Sequence, residues 1–270
     1  DCLLSRGLGD VYKRQVTHFM TESSLDLGVI GNCSFGALVD RQARVVWSCL
    51  PAFDGDPAFC SLLSPKGEGG DFAVELEDFE SSEQHYLPNT AVLRTVLRDS
   101  KGGEVEVIDF APRWRNNGRF YRPVSIIRQI RPLAGNPRIV VRARPLADWG
   151  GRTPDTTWGS NHIRWVLPDF TLRLTTDVPV RFVRDGLPFV LSHPVSLVLG
   201  VDESLTRSLT GYVQEAQERT EEYWREWVRY LSIPLEWQDA VIRSAITLKL
   251  CQYEDSGAII AAMTTSIPEA

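Results

Sequence analysis

The spacing of apolar residues changes once along this chain, and that change limits its possible folds more than any motif does. From about Leu25 to Val201 apolar residues alternate with polar ones, and from about Gly200 onward they recur at intervals of three and four. In the first region, residues 35–39 and 44–50 flank the polar connection Asp40-Arg41-Gln42-Ala43, which predicts a hairpin. Residues 92–98 and 104–110 flank Asp99-Ser100-Lys101-Gly102-Gly103 and predict a second, its glycines supplying positive φ. Residues 126–131 and 138–144 bracket a Pro132–Pro137 connection, and alternation continues through Phe170, Leu172 and Leu174, residues 178–183 and residues 195–199. About ten strands joined by short turns, with no helical pattern between them, predict a large antiparallel β-sandwich and exclude a Rossmann unit. There is no fixed-period repeat, which argues against a propeller or solenoid.

In the second region Tyr212, Ala216, Thr220, Tyr223, Trp224, Trp227, Val228 and Leu231 define an amphipathic helix that Pro234 stops. A second helix is expected over residues 235–253, with Trp237, Val241, Ala245 and Leu248 on one face and Glu254-Asp255-Ser256-Gly257 as its exit. A third apolar segment, residues 258–263, leads into Thr264-Thr265-Ser266-Ile267-Pro268-Glu269-Ala270. These helices carry more apolar surface than two helices can cover, so either the sandwich covers it or further helices do; the second is expected here.

Composition narrows the function. Thirty-five acids against 29 bases give a net charge of −6, which provides no overall attraction to nucleic acid or an anionic membrane. The longest apolar runs fall far short of the roughly 18 residues of a membrane span. Cys2, Cys33, Cys49, Cys60 and Cys251 are scattered without C-x-x-C spacing, which suits a compartment that keeps thiols reduced and points to the cytoplasm. Residues 1–19 have no sustained period, resemble a translated sequencing adapter and precede a natural-looking start at Met20; they are set aside as a non-native leader.

The usual catalytic signatures are missing. Gly31-Asn32-Cys33-Ser34-Phe35-Gly36 has the wrong spacing for a nucleophile elbow and does not form a phosphate loop, so Gly31 and Gly36 read as turn and close-packing residues. His18, His85, His162 and His193 lack metal-ligand spacing, and neither a metal nor a cofactor is expected. His162 lies in a polar stretch that reads as a solvated turn, with saccharide contact the alternative. The cluster Arg113, Arg115, Arg119, Arg122, Arg128 and Arg131, interleaved with Trp114, Phe120 and Tyr121, could suit a single strand of nucleic acid, but the neighbouring acids favour packing. Glu75, Glu77, Asp78 and Glu80 read as a solvated edge rather than a catalytic pair, which would need two carboxyls facing each other across a cleft. The stretch from Trp47 to Cys60 is the most informative. Its proline turn places Trp47, Phe53, Asp54 and Asp56 close together, a mixture of aromatic faces and carboxylates that suits sugars as well as loop packing.

Several motifs occur in order: Leu27-Gly28-Val29-Ile30-Gly31-Asn32, Ala37-Leu38-Val39-Asp40, Val46-Trp47, Leu50-Pro51 and Phe53-Asp54-Gly55-Asp56-Pro57. Ile108-Asp109-Phe110-Ala111-Pro112-Arg113, Tyr223-Trp224-Arg225-Glu226-Trp227, Leu248-Lys249-Leu250 and Thr264-Thr265-Ser266-Ile267-Pro268-Glu269 follow. Together they resemble glycoside hydrolase family 15, the bacterial glucoamylase, glucodextranase and trehalase group, across residues 25–270. The resemblance implies a trehalase-like N-terminal β-sandwich over residues 20–205, a linker helix over 206–233, and over 234–270 the start of a truncated (α/α)6 barrel. It further implies inverting hydrolysis of terminal α-glucosidic bonds in trehalose, maltooligosaccharides or dextran-type substrates, with the catalytic glutamates much farther along than this chain reaches. No catalytic residue is therefore assigned here, and Trp47, Phe53, Asp54 and Glu269 are the candidate substrate-binding residues. Ala52 departs from the family's usual arginine in the Phe53 loop. The alternative from another class is a free-standing carbohydrate-binding sandwich.

Overall fold

The computed structural model describes residues 25–63, 69–264 and 267. Glu269 and residues 1–19, expected to be a leader, lie outside them. The chain opens with β1 (Gly28–Gly31), β2 (Gly36–Val39), β3 (Val45–Cys49), β4 (Pro57–Phe59) and β5 (Asp71–Leu76). Next come β6 (Phe79–Tyr86), β7 (Leu93–Asp99), β8 (Glu104–Phe110), a small hairpin of β9 (Trp114–Asn116) and β10 (Arg119–Tyr121), and the long β11 (Ser125–Ala134). β12 (Arg138–Arg144), β13 (Asp155–Trp158), β14 (His162–Val166) and β15 (Thr171–Thr176) follow. A short helix α1 (Val180–Arg184) then leads to β16 (Phe189–Val190) and β17 (Val195–Val201). Two helices close the order, α2 (Leu209–Arg229) and α3 (Gln238–Leu250), with a two-residue hairpin of β18 (Gln252–Tyr253) and β19 (Ala258–Ile259) after them.

Two antiparallel sheets form the sandwich. One runs β1-β2-β3-β5-β12-β16 with β4 paired to β3; the other runs β13-β14-β15-β17-β11-β8-β7-β6. Both hairpins expected from the sequence form: Leu38 pairs with Trp47, and β7 pairs with β8 from Leu93↔Asp109 to Arg98↔Glu104. Phe72, Val107, Ile130, Val141 and Leu197 belong to the core between the sheets. At its centre lies a charge. Arg128 and Asp109 face each other across β11 and β8, both wholly buried, and the guanidinium donates twice to the carboxylate, at 2.7 and 3.0 Å. It also donates to the carbonyls of Phe72 at 3.0 Å and Ala43 at 2.6 Å, and so ties the eight-stranded sheet to the other one.

A second core, containing Trp47, Phe110, Ile127, Trp224 and Leu250, lies where α2 and α3 pack on the sandwich. Ser208 caps α2 by accepting the Gly211 N–H at 3.3 Å, and the helix turns Tyr212, Ala216, Tyr223 and Trp224 inward. The sandwich thus covers most of the apolar stripe of α2. The face predicted for α3 is the wrong one: Ile246 and Leu250 are its buried residues, whereas Trp237 is 80% exposed at a left-handed φ of 61° and Leu248 is 65% exposed. Apolar residues occur on both sides of this helix, so spacing alone cannot say which side is covered.

Residues 126–131 and 138–144 lie in different sheets: β11 pairs with β8 and β17, whereas β12 pairs with β5 and β16. The connection crosses between layers just after a register irregularity at Pro132, which has no N–H to donate. Residues 178–183 do not extend the strand pattern. Pro179 sits at the start of α1, and Val180 and Val183 are buried one helical turn apart. No helix among the described residues is long and apolar enough to cross a membrane.

Replacing Arg128 with Met strands the buried Asp109 carboxylate and should cost about 3–5 kcal/mol of stability in urea denaturation. Changing Asp109 to Leu in the same protein should recover most of that loss, since no uncompensated charge then remains.

Candidate functional site

The loop between β1 and β2 is short, and several of its polar atoms are directed at other segments. Asn32 donates its side-chain N–H groups to the carbonyls of Pro112 at 3.1 Å and Pro123 at 2.7 Å and accepts the Ser34 N–H at 3.2 Å. Cys33 takes a left-handed φ of 67°, which turns its carbonyl toward the Glu254 N–H at 3.0 Å and its thiol toward the Lys249 carbonyl at 3.2 Å. At Gly36 an added Cβ would lie 2.5 Å from Met263 Sδ, so the methionine side chain of the segment that follows α3 packs directly against this glycine and would have to shift for a larger residue.

Arg113, wholly buried, occupies the junction between sandwich and helices. It donates to both oxygens of Glu254, at 2.9 and 2.7 Å, and to the Asn32 carbonyl at 2.7 Å, with the rings of Phe120 and Tyr223 at 4.6 and 4.8 Å from its guanidinium carbon. Its backbone N–H reaches the Thr220 hydroxyl of α2 at 3.2 Å. Arg122 adds contacts to Glu254 at 3.1 Å and to Ser34 and Asp255. Burial alone pushes the Glu254 carboxyl up, but the bonds and charge of Arg113, with Lys249 and Arg122 behind it, hold it below the ordinary carboxylate range. Burial pushes the Cys33 thiol up despite the nearby guanidinium, so it stays a neutral thiol.

Two of the candidate sugar-binding residues lie in this junction. Trp47 is wholly buried and its indole N–H donates to the Met263 carbonyl at 2.8 Å. Phe53, also buried, meets Tyr253 edge-on at 6.0 Å. Asp54 is exposed on the same turn, and Asp56 accepts the backbone N–H groups of Asp148 at 2.6 Å and Trp149 at 2.9 Å. Glu269 lies outside the described residues. The structure thus gathers Trp47 and Phe53 under the segment from Cys251 to Met263.

Most of the predicted arginine cluster has carboxylate partners: Arg113 and Arg122 on Glu254, Arg128 on Asp109 and Arg131 on Glu106. Glu75, Glu77 and Asp78 pair with Arg142, Arg138 and Lys101. His162 begins strand β14 rather than lying in a loop. Among the described residues no group of three or more His, Cys, Asp or Glu side chains is placed to hold a metal ion.

Chemically, this arrangement is a clamp. An inverting glycosidase needs a protonated acid facing a carboxylate across a substrate-sized gap, yet Glu254 is held ionised by two arginines. Asp109 is pushed up by burial against the opposing pull of Arg128, but it lies wholly inside the sandwich, away from any cleft. Sequence reasoning missed Glu254, treating it as the exit of a helix. Its partner is 141 residues away, and the one available signal was the surplus of arginines in the Arg113 cluster.

Residues 22–164 match the family described as Trehalase-like, N-terminal. The chain is similar to the trehalase of Thermoplasma volcanium, 27% identical over 255 residues, and to Trehalase 1 of Sulfolobus acidocaldarius, 29% identical over 254 residues. It is also 25% identical over 276 residues to the trehalase of Mycolicibacterium smegmatis. Each alignment covers 90% of this chain and 40% of the relative, so the chain spans about two fifths of the length of these proteins.

Glu254 titrates lower in the folded protein than in the unfolded chain, so its contribution to stability is complete above the ordinary glutamate value of 4.5 and is lost as the pH falls through the lower folded value. The difference in melting temperature between the parent and Glu254→Gln should therefore be largest near neutral pH and shrink below about pH 4.5. A difference that stays constant with pH would remove the ionised clamp.

Proposed function

The chain belongs to the trehalase-like N-terminal family, and from that premise we propose that it is the β-sandwich module and opening helices of an α-glucoside hydrolase. Its task in that enzyme is to hold the segment through Met263 at a fixed position, from which the Thr264–Glu269 motif enters the catalytic barrel. The clamp on Glu254, Cys33 and Met263 is the observation that carries this reading, because it fixes the approach to that motif from three sides. The similarity to three trehalases makes trehalose the first substrate to test, with maltooligosaccharides and dextran-type chains next.

The finer assignment is to family 15, with a sandwich over residues 20–205, a linker helix over 206–233 and the first barrel helices over 234–270, in a cytoplasmic setting. The ordered motifs support it, as does the outward face of Leu235, Trp237 and Leu248, which needs a cover of further helices. In the assembled enzyme one carboxylic acid protonates the glycosidic oxygen while a carboxylate on the opposite ring face activates water. Those two groups belong to the barrel. Trp47 and Phe53 act from below as positioning residues, and Asp54 and Glu269 remain the candidates for contact with sugar.

Full-length protein should release one β-glucose and one α-glucose from each trehalose, observed by NMR immediately after cleavage, and the 270-residue chain alone should release none. Glucose release by the 270-residue chain would overturn the assignment of catalysis to the barrel. In the full-length enzyme Trp47→Phe, which removes the bond to Met263 and part of the buried ring, should lower kcat by roughly tenfold, about 1.4 kcal/mol; unchanged turnover in Trp47→Phe and Asp54→Asn alike would remove the loop's role.

A further inference from the structure

Between the β9–β10 hairpin, the C-terminal half of α2 and the end of α3 lies a cleft of about 230 Å³. Its rim carries Phe120, 41% exposed, and Tyr230, 77% exposed, and the half-buried indole of Trp227 lines it as well. Arg115 and Glu226 also line it, and neither has an ion pair within the described residues. On α2 Arg219 pairs with Glu215 and Arg225 with Glu221 one turn away, whereas Glu226 has no such pair among the described residues. Arg115 is held only by the Phe120 ring, 5.4 Å from its guanidinium carbon. Hydrogen-bonding groups without partners and exposed ring faces thus converge on one concavity.

We propose that this cleft is a non-catalytic binding site for a single glucosyl unit at the end of an α-linked saccharide. One free cation and one free anion on its walls suit a neutral ligand: a phosphate or carboxylate attracted by Arg115 would meet Glu226. A pyranose offers C–H faces for aromatic rings and hydroxyls that both donate to a carboxylate and accept from a guanidinium. The volume is below the roughly 300–1,000 Å³ of sites that enclose a whole ligand, which suits one ring with the remainder of the chain in solvent. Glu254 at the cleft floor is committed to Arg113, so the site binds sugar without cleaving it. The sugar class follows from the cleft's own chemistry; the choice of α-linked glucose rests on the hydrolase reading.

The test is an NMR titration of the 270-residue chain with trehalose, maltotetraose and cellotetraose, following the Trp227 indole N–H signal identified by its absence in Trp227→Phe. The signal should shift and saturate with trehalose or maltotetraose, and Glu226→Gln and Tyr230→Ala, both at exposed positions, should each weaken binding roughly tenfold. No shift up to the solubility limit overturns the proposal, as does unchanged affinity in the two variants. Saturation by cellotetraose alone overturns the α-glucosyl ligand. None of these outcomes depends on glucose release by the full-length protein, so failure of the cleft and failure of the hydrolase assignment are separately visible.

Discussion

A guanidinium has five N–H donors and a permanent charge, and it can be buried only where acceptors and a counter-charge are already in place. This chain meets that requirement twice. Arg128 meets it inside the sandwich with Asp109 and the carbonyls of Phe72 and of Ala43 in the β2–β3 turn, and Arg113 meets it at the edge through its two terminal nitrogens, with Glu254 and the Asn32 carbonyl, while its Nε has no hydrogen-bond partner among the described residues. The first pair also constrains register. Arg128 and Asp109 face each other on adjacent strands, and a slip of one residue would turn either charge onto the face that α2 covers, where Ile127 and Phe110 now lie.

From that fixed centre the structure builds outward in layers. The inner faces of the sheets bury one core, and the outer face of the eight-stranded sheet buries a second under α2, so neither face of β8 or β11 is wet at its middle. Arg113 follows directly after β8, and its backbone bonds to Thr220 of α2, which ties helix position to strand position. The segment beyond α3 is then placed by side chains: Trp47, Cys33 and the two arginines at Glu254. Fold and proposed function meet there, because the same loop that ends β1 determines where the chain goes after α3.

Much of this was legible in the sequence. The hairpins around Asp40 and Gly102 were readable because their strands alternate cleanly and their turns carry the residues that such turns require. The amphipathic helix ending near Arg229 was readable because one face is consistently apolar. Strand β6 was not: its residues are mostly exposed and polar, so it has no hydrophobic pattern, and it forms through edge pairing with β7. The assignment of β11 and β12 to different sheets depends on partners far along the chain, which no local pattern encodes. At the site, aromatic and acidic composition drew attention to the Trp47 loop, but whether Trp47 faces solvent or the interior is a tertiary question. The Arg113–Glu254 contact joins two stretches that each look ordinary alone.

The separation between those two residues also imposes an order on synthesis. A ribosome delivers the sandwich strands, Asn32 and Arg113 well before it delivers Glu254, since 141 residues of chain lie between the two charges. Until then the guanidinium has no anion to offset the cost of its burial, and hydration is its favoured state. The emerging carboxylate supplies the missing charge, so the turn after α3 completes a contact begun by the first hairpin.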